Sequence, residues 1–392
     1  MRTLADLGDL RGKRVLVRVD FNVPLESAAP ARVADDTRIR AALPTIEELR
    51  RRGAALVLVS HLGRPRDREP ELSLRPVADR LAELLGAPVA LAPAVVGAEV
   101  SERAAGLGPG ETLLLENVRY EPGETKNDPA LAADLAALAD VYVNDAFGTA
   151  HRAHASTVGA PRLMDERAAG LLMEREVTTL TGLLADPARP LVAVLGGAKV
   201  SDKIAVIERF QSVADQLLIG GAMCFPFLAA QGHAVGASLC APADVELARA
   251  ALGRTDVRAT LHLPVDLVIA ERFAADAPSR ALEAVDVPEG WMGLDIGPAS
   301  ADAYGEAIAG AGTVFWNGPM GAFELEPFAA GTRSVAEAVA DAPGVTVVGG
   351  GDSAAALVQF GLEDRVTHLS TGGGASLELI EGRELPGVEV LQ

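Results

Sequence analysis

The sequence predicts an α/β protein of two domains, each built on a parallel sheet. Three observations carry this. The chain has 392 residues, enough for two cores of ordinary size. Short Val- and Leu-rich runs alternate with Ala- and Leu-rich helical segments, which implies parallel strands joined by right-handed crossovers. The strand-to-loop theme also starts afresh near residue 190, with Arg-bearing loops before it and Gly-rich loops after it.

Composition narrows the partners. Hydrophobic residues make up 49% of the chain and aromatics only 4%, as suits a soluble α/β protein. A net charge of −19 argues against nucleic acid or an anionic membrane as the main partner. Small anions remain open, because a site needs only local positive charge. Cys224 and Cys240 form neither a disulfide framework nor a metal-ligand spacing, so a reducing cytoplasm is expected. Met1–Gly12 has no signal-peptide apolar core. The longest apolar stretch, Leu217–Ala230, is broken by Gly and Pro and falls short of the ~20 residues of a membrane span.

Arg14–Val19 reads as a strand that stops at Asp20-Phe21-Asn22-Val23-Pro24. Asp20 and Asn22 serve equally well there as turn formers or as ligand contacts. Asp35-Asp36-Thr37-Arg38 opens a helix, and a cation in its first turn opposes the helix dipole, so Arg38 calls for a reason. Arg50-Arg51-Arg52 ends that helix as a dipole-compatible solvated face. Ala54–Ser60 runs into His61-Leu62-Gly63-Arg64-Pro65, and Thr112–Leu115 into Glu116-Asn117-Val118-Arg119. Asp140–Val143 leads into Asn144-Asp145-Ala146 and on through Arg152 to His154.

Ligands of such sheets bind beyond the carboxyl ends of the strands. Asp20, Asn22, His61, Arg64, Arg119 and Arg152 all fall there. Together with Arg38, these arginines from separate loops would repel one another without an anion between them. The first half therefore reads as an anion-binding basic patch. A helical pattern over about 167–184, ending near Asp186-Pro187, is the candidate interdomain helix.

The second half repeats the theme with glycine. Leu191–Leu195 ends in Gly196-Gly197, and Gln216–Ile219 in Gly220-Gly221. Thr313–Trp316 ends in Asn317-Gly318-Pro319-Met320-Gly321. Val345–Val348 ends in Gly349-Gly350-Gly351-Asp352-Ser353, and Val366–Leu369 in Ser370-Thr371-Gly372-Gly373-Gly374. Glycine at a strand-to-helix junction lets the backbone approach a phosphate and aims free N–H groups at it. One such turn is weak testimony, but five in one half are hard to explain by tight turning alone.

Of the 35 basic residues only four are lysines, and two of them stand close together, Lys199 just after Gly196-Gly197 and Lys203 one helical turn later. A solvated pair on a first helical turn fits that spacing. The position near a helix N-terminus favours phosphate, and a mobile point charge suits a moving phosphoryl oxygen. Asp352 is open between a helix N-cap and a carboxylate for Mg²⁺.

Several chemistries drop out. The sequence has no G-x-x-x-x-G-K-[ST] phosphate loop, no dinucleotide fingerprint and no nucleophile elbow. His61, His151 and His154 lack close metal-ligand companions. What remains is transfer of a phosphoryl group between two anions held by opposite domains, which needs alignment, Mg²⁺ and positive charge.

The segments RVDFNVP, DDTRI, SHLGRP, ENVR, NDAFGTAHRAH, LGGAKVSDKI, GLDIGP, FWNGPMGAFE, VVGGGDSA and STGGGASLELIEG stand in the order seen in the phosphoglycerate kinases. The chain resembles that family over nearly its whole length. The resemblance implies reversible transfer between 1,3-bisphosphoglycerate and MgADP, giving 3-phosphoglycerate and MgATP. Transfer would be direct and in line, on domain closure, in glycolysis and gluconeogenesis, by a cytoplasmic monomer.

By resemblance, Asp20, Asn22, Arg38, His61, Arg64, Arg119 and Arg152 hold the glycerate ligand. Lys199, Lys203, Gly293, Asn317, Glu324, Gly349, Gly350, Gly351, Asp352 and Ser353 hold the nucleotide, with Asp352 towards the metal. Arg38, Lys199, Gly372 and Gly373 act on the transferring group. The implied fold is two doubly wound, Rossmann-like parallel-sheet domains joined by a helix and hinge, 1–166 with a returning 376–392, and 167–375. Three departures stand out: Ser353 where Thr is usual, Cys224-Phe225-Pro226 on the nucleotide-base side, and an Arg-rich Arg66–Arg68 loop. Two other classes fit parts of the pattern. A non-catalytic anion-binding protein leaves Lys199 and the glycine turns unexplained, and a nicotinamide-dependent dehydrogenase lacks its fingerprint.

Overall fold

Runs that are apolar on both faces belong at the centre of a covered parallel sheet, and they take that place in the computed structural model, which describes residues 1–27 and 31–392. The chain divides into one unit of Met1–Thr178 with Arg383–Gln392 and another of Thr179–Gly382. The first unit holds β1 (Arg14–Arg18), β2 (Ala55–Val59), β3 (Ala90–Leu91), β4 (Thr112–Leu114), β5 (Val141–Asn144) and β6 (Arg167–Ala169). They form one sheet in the order β3-β4-β2-β1-β5-β6, with every neighbouring pair parallel. Helix Thr37–Arg51 buries Ile39, Ile46 and Leu49, and helix Arg75–Leu85 buries Val77 and Leu81, in the core that includes Val15, Val17 and Leu56.

The helical pattern expected from Arg167 begins four residues later. Arg167–Ala169 pairs with β5, and the helix runs from Leu171 to Ala185. A remote cap sets that start. The Asp145 carboxylate accepts from the Leu172 and Met173 amides at 3.0 and 3.3 Å, and the Thr45 hydroxyl accepts from Leu171 at 2.8 Å. Gly170 lies so close that a Cβ there would stand 2.2 Å from Asp145 Oδ1. Asp145 is fully buried, which pushes its carboxyl up to about 7.

The C-terminal segment completes the first unit. The Gly387 amide donates to the Ala150 carbonyl at 2.8 Å, and Arg2 donates to Leu391 at 2.8 Å. Helix Gly374–Ile380 belongs to the second unit, so the return begins at Arg383 rather than at 376.

Arg50 and Arg52 are more than a solvated face. Arg52 is half-buried and donates to the carbonyls of Leu4, Leu7 and Gly8 at 2.6 to 2.7 Å, tying the N-terminal turn to the helix end. Arg50 donates to Gly110 at 2.9 Å, and only Arg51 stays outside, paired with Glu48.

In the second unit β7 (Leu191–Leu195), β8 (Gln216–Ile219) and β9 (Thr260–His262) share a parallel sheet with three later strands. Between them come β10 (Leu267–Ala270), β11 (Ser279–Leu282) and β12 (Met292–Ile296), a small antiparallel sheet in the order β11-β10-β12 that the alternation does not foretell. With β13 (Thr313–Asn317), β14 (Val345–Gly349) and β15 (His368–Leu369), the main sheet reads β15-β14-β13-β7-β8-β9. Its core surrounds the fully buried Trp316, whose indole N–H donates to the Gly318 carbonyl at 2.8 Å. Among the described residues no helix is long and apolar enough to cross a membrane.

Arg52→Ala strands three backbone acceptors at once. It is expected to lower the urea midpoint of the first unit, with a cost of about 1–3 kcal/mol, whereas Arg51→Ala leaves the midpoint in place. Equal effects of the two substitutions would contradict the tie.

Candidate functional site

In the first unit the groups expected to hold an anion stand on loops that leave the carboxyl ends of β1, β2, β4 and β5. Asp20 and Asn22 do turn the chain, since the Asn22 amide donates to Asp20 Oδ1 at 3.1 Å. They also reach other loops. Asn22 Oδ1 accepts from the Gly63 amide at 2.8 Å, and Asp20 pairs with Arg38 at 3.1 Å. That ion pair gives Arg38 a reason to occupy the first turn of its helix.

Buried Asn117 sets the position of Arg119. Its Oδ1 accepts from the amides of Leu62 and Arg119, and its Nδ2 donates to the carbonyls of Leu62 and Leu72. Arg119 in turn donates to the Gly63 carbonyl. A cleft of about 600 Å³ opens beside it, lined by Arg64, Arg119, Tyr120, Thr125, Arg152 and His154 among others. Asp20, Asn22, Arg38 and His61 are not part of that lining. Burial depresses the Arg119 guanidinium, and Arg18, Arg152 and Arg64 add to the effect. The predicted crowding of cations is therefore present.

Two charged residues of this site escaped sequence reasoning. Arg18, at the end of β1, is fully buried and donates through Nε to Ser156 Oγ at 2.9 Å. Glu124 is also fully buried and accepts from the same Ser156 hydroxyl at 2.6 Å and from its amide at 2.9 Å. Burial alone would raise the Glu124 carboxyl, but His154, Arg18 and Ser156 together hold it below its ordinary value. The one sequence signal was a cation inside the otherwise apolar RVLVRV.

In the second unit a pocket of about 400 Å³ lies beyond the ends of β7, β8 and β13. Gly197, Phe225, Leu239, Phe273, Glu324 and Asp352 are among its lining residues. The mixture is an apolar face with carboxylates at its edge. Gly293 also lines it, and a Cβ there would meet the Phe225 ring at 2.2 Å, so Gly293 makes room for the Cys224-Phe225-Pro226 helix start.

The glycine turns next to this pocket pack on each other. A Cβ on Gly196 would come 2.0 Å from the Pro319 carbonyl oxygen, and one on Gly318 would come 2.3 Å from that of Gly196. On Gly221 it would stand 2.6 Å from the Gly197 nitrogen. These glycines are required by close backbone approach of neighbouring strand ends, before any phosphate is considered.

Lys199 and Lys203 do not share a helical turn. The helix starts at Ile204, Lys203 is its N-cap residue, and Lys199 is exposed on the preceding loop. Lys203 turns inward and donates to the carbonyls of Gly196 at 2.6 Å and Asn317 at 3.0 Å. Burial pulls its amine down to about 8, against the opposing pull of Asp352 and Asp202.

Asn317 and Ser353 are buried as well. Asn317 Nδ2 donates to the Gly349 carbonyl at 2.8 Å, and Ser353 Oγ accepts from the Gly318 amide at 2.6 Å. Gly350, at φ +93°, is the N-cap of helix Gly351–Phe360, and Asp352 sits exposed in its first turn without a capping hydrogen bond. The N-cap alternative for Asp352 is thus overturned. In the last turn the Gly372 amide donates to Ser370 Oγ at 3.2 Å, while Gly373, at φ +53°, faces open space.

Asp295 was missed within its own motif. Buried under the pocket, it accepts from the Gly331 amide at 2.7 Å and from its neighbour Ile296 at 2.9 Å. Burial pushes its carboxyl up to about 7.

Among the described residues no group of three or more His, Cys, Asp or Glu forms a cage for a metal ion. Mg²⁺ does not require one, because it is commonly held by one or two carboxylates plus substrate phosphates. An exposed carboxylate at a pocket edge fits that role, and Asp352 is such a group.

A cationic cleft on one doubly wound unit and a mixed pocket beside glycine turns on another form the layout of a small-molecule kinase. The sequence pattern of the family described as phosphoglycerate kinase matches residues 4–383. The phosphoglycerate kinase of Rubrobacter xylanophilus is 56% identical over 392 residues, covering 100% of this chain and 98% of that protein. A cytosolic phosphoglycerate kinase of Triticum aestivum is 51% identical, with 100% and 98% covered. The solved structure of phosphoglycerate kinase from Coxiella burnetii superposes with a TM-score of 0.88 at 40% identity, covering 99% of this chain and 98% of that one. The chain belongs to the phosphoglycerate kinase family.

Between about pH 8 and 10.5 the unfolded chain keeps a proton on Lys203 that the folded chain has lost. This group's contribution to stability therefore rises with pH across that window. The gap in unfolding free energy between the unsubstituted chain and Lys203→Met is expected to move towards the unsubstituted chain, by on the order of 2 kcal/mol from pH 8 to pH 10. Urea denaturation at each pH checks it, and a gap flat with pH contradicts a depressed buried amine.

Proposed function

We propose that the chain catalyses reversible phosphoryl transfer between 1,3-bisphosphoglycerate and MgADP, yielding 3-phosphoglycerate and MgATP. The observation that carries this is the cationic cleft. Arg64, Arg119 and Arg152 converge on it from three loops, and among the described residues none of them has an ion-pair partner. A doubly charged phosphate with a nearby carboxylate supplies the charge they lack.

In this reading the three arginines clamp the glycerate ligand, and Asp20 and Asn22 brace the loops around it. Arg38 is half-exposed and, among the described residues, tethered through Asp20 alone, which leaves its guanidinium able to turn to a developing charge. The nucleotide base takes the apolar face formed by Phe225, Leu239 and Phe273, and Glu324 stands at the pocket edge. Lys199 is the mobile cation for the transferring phosphoryl group. Gly351 and Gly373 leave backbone amides accessible to phosphate oxygens.

Lys203, Asn317 and Ser353 act one step back, because their polar atoms already hold strand ends together. Gly293, Gly349 and Gly350 contribute by shape, and the Gly372 amide by ordering its turn. Asp352 would hold Mg²⁺, which when bound neutralises charge on the nucleotide phosphate oxygens. With glycerate groups on one unit and nucleotide groups on the other, in-line transfer proceeds on closure. Each unit carries its own ligand groups, so the working form is a monomer. The free thiols Cys224 and Cys240 suit a reducing cytoplasm.

A coupled assay for ATP formation from 1,3-bisphosphoglycerate, ADP and Mg²⁺ is the direct test. Arg119→Ala is expected to raise KM for 3-phosphoglycerate about tenfold or more while nucleotide affinity holds. Arg38→Ala and Lys199→Ala are expected to lower kcat and kcat/KM together. Inactivity of the folded chain would defeat the proposal, and Arg38→Ala with intact kcat would remove its role in transfer.

Asp352→Asn keeps shape and removes charge. Folding stability is expected to hold, while the Mg²⁺ concentration for half-maximal rate rises at least tenfold. An unchanged Mg²⁺ dependence would take the carboxylate out of the metal site.

A further inference from the structure

His61 is buried except for about 4% of its surface. Its Nδ1 lies 3.3 Å from a terminal nitrogen of Arg18. A guanidinium has five N–H donors and no acceptor, so across this contact Nδ1 accepts and carries no proton. A neutral imidazole then has its proton on Nε2. That atom is not among the sealed, unpartnered polar atoms of the described residues, which makes it the edge of the ring open to solvent.

We infer that Arg18 is a positioning residue which locks His61 as a neutral ring with its proton on Nε2, leaving a hydrogen-bond donor on the open edge of the ring, beside the cationic cleft. This deepens the glycerate-site proposal and rests on it only for the identity of the anion.

The surroundings of the ring agree. Burial disfavours the imidazolium, and Arg18 on β1, Arg119 after β4, Arg38 on its helix and His154 after β5 all repel it. Together they hold His61 well below its ordinary value of 6.5. Among the described residues Asp20 is the one carboxylate within 4 Å of a ring nitrogen, and its Oδ1 stands 3.9 Å from Nδ1, beyond hydrogen-bond reach. Arg18 is itself held from behind, through Nε to Ser156 and through one terminal nitrogen to the Val19 carbonyl. Ser156 is anchored to Glu124. The nitrogen that faces His61 is therefore aimed by a buried network.

A fixed neutral donor has a chemical use here. Beside a cleft lined by cations, a further positive charge would compete with the arginines for the same anion. A neutral Nε2–H instead orients one oxygen without adding charge, and it does so at every pH across the physiological range.

Long-range ¹H–¹⁵N spectra of the histidine rings in the full-length, ¹⁵N-labelled chain test the inference, with His61 assigned by its loss in His61→Gln. The expected result is the Nε2–H tautomer, with no titration between about pH 5 and 8. In Arg18→Met the constraint is gone, and titration of His61 moves up into that window. Lys is also a donor-only side chain, so Arg18→Lys retains the Nε2–H tautomer.

A proton on Nδ1 in the unsubstituted chain overturns the inference, as does titration of His61 inside the window. Because that result needs no variant, failure of Arg18→Met to fold does not shield the inference. If Arg18→Met folds and changes neither tautomer nor titration, another group sets the ring and Arg18 does not. Addition of 3-phosphoglycerate is expected to shift the Nε2 resonance. A tautomer as inferred with no such shift counts against the glycerate reading alone.

Discussion

A buried guanidinium and a buried carboxylate share one hydroxyl in the first unit, and the geometry of the cationic cleft rests on that bridge. Ser156 accepts from Arg18 and donates to Glu124, and its carbonyl receives the Tyr142 hydroxyl at 2.9 Å. Removing both charges from water is costly unless each is well satisfied. Here the serine, its amide, His154 and the Val19 carbonyl provide the partners. The bridge links β1, β5 and the segment after it, three places from which ligand-facing groups project.

The second unit fixes its loop ends by a different means. Its strand ends touch backbone to backbone, and an inward lysine closes the joint by donating to two carbonyls from different strands. Ser353 and Asn317 add further ties between the β13 and β14 loops. The pocket that results can then expose its apolar face and its carboxylates, because the polar work of holding the loops is done behind it. One unit thus gathers cations along a cleft, and the other prepares a shaped wall.

Most of the strand ends were legible because apolar runs stop abruptly at Asp, His or Gly, and a parallel sheet puts all such stops on one side. The start of the helix after β6 was not, since its cap comes from Asp145 and Thr45, far away in sequence. Glu124 sits in EPGETKND, whose turn chemistry reads as solvated, and only the folded chain shows it buried under Ser156. The antiparallel β10–β12 sheet was hidden by short, mixed runs such as Ser279–Leu282, largely exposed and without a continuous apolar face. Lys203 and Asn317 stood out in the sequence by their place in glycine-flanked motifs. Their inward hydrogen bonds depend on carbonyl positions that no local pattern encodes.

The interlocked glycines bear on how such a chain can vary over generations. Gly196, Gly221 and Gly318 each occupy space that another turn's backbone needs. A side chain on any one displaces its neighbours, and no second substitution can shrink a backbone that already has nothing to give up. The three positions are therefore coupled sterically, so that a change at one is a change in the packing of all three turns. Cys224-Phe225-Pro226 beside the set is packed too, with Phe225 filling the space that a side chain at Gly293 would need.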